Sequence, residues 1–118
     1  MHKFRELKVW QRAMDLVVEV YRLTQAFPST EQFGLTSQLR RAAVSIPLNI
    51  SEGAGSGSDP EFRRFLRIAF RSCYEVMTAL ELGHRLGYCP QQQVIALDRQ
   101  ADEIAAMIVG LSRSLTSD

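Results

Sequence analysis

Apolar residues return along this chain at helical spacing, in four blocks separated by loop punctuation. In the first block, Val9, Trp10, Ala13, Met14, Leu16, Val17, Val20, Tyr21 and Leu23 recur at i, i+3 and i+4. Lys8, Gln11, Arg12, Asp15, Glu19 and Arg22 occupy the other side. The apolar arc is wider than one core contact requires. Phe27-Pro28-Ser29 stops the helix, because proline cannot continue it and disfavours helical backbone at the residue before it.

In the second block, Leu35, Leu39, Ala42, Ala43, Ile46 and Ile50 share one face. A wheel of about 100° per residue puts Phe33, Val44, Pro47 and Leu48 on nearly the opposite side. Gln38, Ser45, Asn49 and Glu52 form a polar strip between them. A helix apolar on two sides has two things to bury against. Ser29-Thr30-Glu31-Gln32 fits a capping box, with Gln32 reaching back to the cap. Pro47 interrupts the backbone bonding, yet the apolar face continues from Ile46 to Ile50. The expectation is one helix, kinked between Ala43 and Pro47, rather than two segments.

Gly53-Ala54-Gly55-Ser56-Gly57-Ser58 is a flexible connection before Asp59-Pro60-Glu61 opens the third helix, with Asp59 expected as its N-cap. Phe62, Phe65, Leu66, Ala69, Phe70, Cys73, Val76, Met77 and Leu80 form its core stripe, and Gly87 is placed as its C-cap. Val94, Leu97, Ala101, Ile104, Ala105, Ile108, Leu111 and Leu115 form the stripe of the fourth helix. No period-2 run and no hairpin signal occurs. The pattern predicts an all-α, up-down-up-down four-helix bundle in a single domain spanning 1–118. Its helices run over about residues 7–26, 33–53, 60–86 and 90–115.

At 118 residues the chain supports one core and not two. The 14 Lys and Arg residues nearly balance 13 Asp and Glu residues, so net charge does not mark a nucleic-acid binder and only local clustering could. Two cysteines do not make a disulfide scaffold. The N-terminus lacks the apolar core of a secretory signal, and no apolar stretch reaches membrane-spanning length. A cytoplasmic protein with no membrane contact is expected.

The stretch from Phe33 to Gly53, FGLTSQLRRAAVSIPLNISEG, is distinctive. With Leu7-Lys8-Val9-Trp10-Gln11-Arg12-Ala13 and the segment Glu81 to Tyr88, it resembles the four-helix-bundle family of 23S rRNA intervening-sequence proteins, also called the S23 family. The accessory protein of diversity-generating retroelements resembles that family too. The resemblance implies a compact four-helix protomer and a ring-like homopentamer. For the retroelement relative it implies a basic barrel that binds nucleic acid and a nucleic-acid-associated protein, a reverse transcriptase. The near-neutral charge of this chain departs from that relative.

Arg63, Arg64, Arg67 and Arg71 fall within about a 100° arc of the third helix, with Tyr74 and Arg85 on or beside it. Guanidinium forks suit phosphates and an aromatic ring can stack on a base, so these residues with Arg40 and Arg41 are candidates for contact with RNA or DNA. The competing explanation is a solvated face, neutralised by Glu61, Glu75 and Glu81, or pairing across a subunit interface. For self-association the candidates are Trp10, Tyr21, Phe33, Val44, Pro47 and Leu48.

Glu81-Leu82-Gly83-His84 has the Glu-x-x-His spacing of di-iron bundles, but no second copy exists, and His2 belongs to a terminus expected to fray. His84 therefore reads as a core-edge residue bonded to a nearby acceptor. The 53–58 glycines follow a helix and lack lysine, which fails the context of a phosphate loop. Cys73 reads as packing and Cys89, beside Pro90, as the more exposed thiol. No metal, cofactor or catalytic constellation is indicated. The expectation is a non-enzymatic homo-oligomer that binds nucleic acid through the third helix. The alternative is a structural or protein-binding ring without such contact.

Overall fold

The computed structural model describes residues 2–115. Four helices carry the fold: α1 (Lys8–Thr24), α2 (Leu35–Ala54), α3 (Asp59–Arg85) and α4 (Gln91–Ser114). Short 3-10 turns at Phe4–Glu6 and Ser29–Glu31 precede α1 and α2, and no strand occurs among the described residues. Each helix packs on its neighbour in sequence, and α4 closes against α1. The pairs α1–α3 and α2–α4 are the diagonals of the bundle. The molecule measures 46 × 24 × 20 Å, the long axis set by α3, whose 27 residues span about 40 Å at helical rise.

The periodic residues fill the interior. Leu16, Leu39, Ile46, Ile50, Phe62, Leu66, Leu80 and Ile104 are almost completely enclosed. α2 runs unbroken through Pro47 as one helix. Pro47 itself is buried within the protomer, which corrects its placement on the outward face. The helices packed on α2 cover this flank as well as the main stripe.

Polar ties connect the layers. Arg40 Nε on α2 donates to Thr24 Oγ1 at the end of α1 over 2.8 Å. Ser72 Oγ on α3 donates to Ser45 Oγ on α2 over 2.9 Å, and Asn49 Nδ2 donates to Ser45 O over 2.8 Å. α2 and α3 approach closely at their shared end. A Cβ on Gly53 would lie 2.8 Å from both Phe62 Cδ1 and Phe65 Cβ. Gly53→Ala should therefore destabilise the fold by about 1–3 kcal/mol through overpacking. A lower urea midpoint at unchanged slope would show it.

Helix starts differ from the sequence reading. Ser58, not Asp59, caps α3, its side chain accepting from Glu61 N over 3.3 Å; Asp59 is the first helical residue. The capping box before α2 does not form, because Ser29–Glu31 is itself a 3-10 turn without a side-chain cap. The carboxylate of Glu31 takes that role, with Oε1 accepting from Leu35 N at 2.9 Å and Oε2 from the Tyr88 hydroxyl at 2.9 Å. These bonds, the Leu35 amide first, hold the Glu31 carboxyl below its ordinary value, and the same bond to Tyr88 raises its phenol. Tyr88 thus keeps its proton and donates.

The sign of the pH effect follows. A carboxyl depressed by folding contributes stability above its unfolded pKa, and that contribution is lost as pH falls through the lower folded value. Glu31→Gln should be less stable than the wild type at neutral pH, and the gap should close below about pH 4. Denaturant midpoints for the pair across that range check it. The α3 exit matches expectation. Gly87 has φ +81°, and Tyr88 N donates to Gly83 O over 2.8 Å.

Candidate functional site

The first surface is the outward side of α2 with the adjoining part of α1. Tyr21, Phe33, Arg40, Arg41, Val44, Leu48 and Glu52 line an open groove of about 600 Å³. Phe33 is 91% exposed, Leu48 53% and Tyr21 41%. Phe33 sits just before α2 where Gly34 turns the chain into the helix, so its ring has no place in the protomer core. Val44 is half-buried and forms the floor. Two of the expected interface residues lie elsewhere: Pro47 is interior, and half-buried Trp10 packs edge-on against Phe4 at 5.2 Å.

Arg40 is half-buried, with its guanidinium 4.4 Å from the Tyr21 ring centre while Nε holds Thr24. That links α1 to α2 and orients Tyr21 under a positive charge. Arg41 is exposed on the same groove. The groove thus pairs apolar surface with basic groups at its centre and one carboxylate, Glu52.

The second surface belongs to α3, and the structure divides its arginines. Arg64 pairs with Glu61 and lies 4.5 Å over the Phe65 ring. Arg85 pairs with Glu81 at 2.9 Å. Arg71 and Tyr74 line a groove toward α2 that also contains Glu75. Arg63 and Arg67 turn toward α4, where a groove of about 250 Å³ is lined by them with Leu66, Phe70, Ile108, Val109, Ser112 and Arg113. Arg63 Nη2 donates to Leu115 O over 2.7 Å. Arg40 and Arg41 stand on the other groove, so one protomer does not gather all the predicted basic residues.

Arg113 joins this set only through folding. It lies in the last turn of α4, and its sequence signal is a lone basic residue following Leu111 and Ser112. Tyr74 is 53% exposed and stacks obliquely on half-buried Phe70, with centroids 5.0 Å apart.

Both histidines and both cysteines have structural surroundings. His84 Nδ1 lies 3.3 Å from Cys89 O, and Glu81 holds Arg85. His2 is not frayed: its amide donates to Ala54 O over 3.1 Å and its ring meets Phe62 at 4.9 Å. Burial pushes the Cys73 thiol up to about 12 and raises that of Cys89. Cys89 is buried against Gly83, which also meets Phe27, contrary to the expected exposure. Thiols kept protonated are poor nucleophiles. Among the described residues, no group of three or more His, Cys, Asp or Glu side chains could hold a metal. No helix there is long and apolar enough to cross a membrane.

A crystal structure of a protein with unknown function from the S23 ribosomal protein family of Bacteroides thetaiotaomicron VPI-5482 superposes with a TM-score of 0.83. It is 23% identical, and the match covers 90% of this chain and 96% of that one. At this identity the likeness carries the fold. No curated protein matches the chain. The family described as 23S rRNA-intervening sequence protein matches residues 5–110, nearly the whole bundle and both candidate surfaces apart from the last turn of α4. The four-helix fold and the continuous match from the first turn into the end of α4 together show that this chain belongs to the 23S rRNA-intervening sequence protein family.

Proposed function

We propose that this protein is a non-enzymatic helical-bundle subunit that assembles with copies of itself through the outward groove of α2. The observation that carries the reading is Phe33, a phenyl ring 91% exposed beside half-exposed Leu48 and Tyr21. A fully buried Phe or Leu side chain stabilises by about 1.5–3 kcal/mol, and left in water this patch gives that up. A ring of five subunits is the assembly that the family resemblance implies. Unpaired Cys73 and Cys89 suit a reducing compartment, in keeping with a cytoplasmic site.

A nitroxide attached at Leu48→Cys tests the surface, since both native thiols are buried. It should be immobilised and dipolar-coupled to its copies, whereas a label at exposed Ile95→Cys on α4 should tumble freely. A freely tumbling label at position 48 would sink the reading.

A second reading has its own support: the assembly contacts nucleic acid through α3. Arg63, Arg67 and Arg113 converge on one groove whose lining, among the described residues, contains no carboxylate. Binding of RNA or DNA that weakens steeply between low and moderate salt is the expected behaviour. Without polynucleotide contact, the protein is a structural or protein-binding ring.

A further inference from the structure

The geometry points to a single-stranded polynucleotide as the ligand of the α3–α4 groove, with Arg67 and Arg113 on its phosphates and Tyr74 under a base. This rests on the nucleic-acid reading above and narrows it to one groove and one form of the polynucleotide. The groove floor is Leu66, Phe70 and Ile108, and its rim is the three arginines. Arg63 is oriented by the Leu115 carbonyl. Arg67 and Arg113 are exposed and come from different helices, so they can engage successive phosphates along the groove. One turn beyond Phe70, the exposed face of Tyr74 continues the path toward Arg71.

Among the described residues, Glu61 is taken up by Arg64, and Glu75 lines the groove on the α2 side together with Arg71 and Tyr74, so no carboxylate lines the groove on the α4 side. The combination of a positive track with an open aromatic face is what unpaired strands use, because their base faces are free to stack. A duplex hides those faces.

The test is fluorescence anisotropy of the full chain with labelled oligouridylate, labelled oligothymidylate and a duplex of the same length, across a salt series. Single strands should bind more tightly than the duplex. Arg67→Glu and Arg113→Glu should each weaken single-strand binding by roughly tenfold or more and lower the salt slope by about 0.7 for each phosphate no longer held. Tyr74→Ala should weaken single-strand binding roughly tenfold and leave the salt slope unchanged. All three side chains are exposed, so circular dichroism should match the wild type.

Undiminished binding in Arg67→Glu and Arg113→Glu, with weakened binding in Arg41→Glu, would overturn the groove while leaving nucleic-acid contact standing. A duplex bound as tightly as the single strands, with Tyr74→Ala silent, would overturn the single-strand assignment. Failure of the wild type to bind any of the probes at low salt would remove the nucleic-acid reading and this inference with it.

Discussion

The double variant Phe33→Glu/Leu48→Glu is expected to lose its assembly and remain a folded, helical monomer. Both side chains stand largely in water in the protomer, so their replacement should change protomer stability by no more than about 0.5 kcal/mol each. In the assembly they would place two carboxylates in an apolar interface. An unpaired buried charge costs far more than the apolar burial it replaces. Val44→Glu is a poorer probe, because Val44 is already half-buried and its replacement would also disturb the protomer. Light scattering gives the mass and far-ultraviolet circular dichroism the fold. A double variant with wild-type mass would place the interface elsewhere.

Phe62→Ala should have the largest effect on the fold. Phe62 is almost fully enclosed, meeting His2 from the N-terminal segment and the close approach of Gly53 on α2. Truncating a buried phenylalanine costs about 3–5 kcal/mol in transfer energy and residual cavity. Domains of this kind are stable by about 5–15 kcal/mol in total, so a large part of the margin would go. Denaturant titration should show a much lower midpoint. A change below about 1 kcal/mol would mean that the junction of α2 and α3 collapses around the gap far more easily than its packing suggests.

The helices were legible because each satisfies a local rule over many residues. A stripe such as Val94, Leu97, Ala101, Ile104, Ala105 and Ile108 has one physical solution, a helix with that face buried. Features that needed a partner from far along the chain were not legible. The cap of α2 comes from Glu31, whose carboxylate is also held by Tyr88, 57 positions away. Cys89 is buried where Gly83 and Phe27 meet, and Phe27 lies in the turn after α1. Pro47 was grouped with Val44 and Leu48, but a wheel puts it only about 60° from Ile50, at the edge of the core stripe, and it is buried there.

The same limit shaped the candidate surfaces. Four arginines in one arc of α3 looked like one patch, yet neighbouring helices divide the arc. Glu61 neutralises Arg64, while α4 supplies Arg113 beside Arg63 and Arg67. Charge along one helix can be counted from sequence, but which charges share a groove depends on what packs beside it. The exposed face of α2 was more accessible to sequence reasoning, since Val44 and Leu48 oppose the core stripe of the helix and Phe33 immediately precedes it.

Sedimentation velocity of the wild-type chain at micromolar concentration measures self-association directly. The protomer mass is 13.3 kDa. A single species several times heavier, persisting on dilution within the micromolar range, is expected. A species sedimenting at the mass of one chain would contradict self-association.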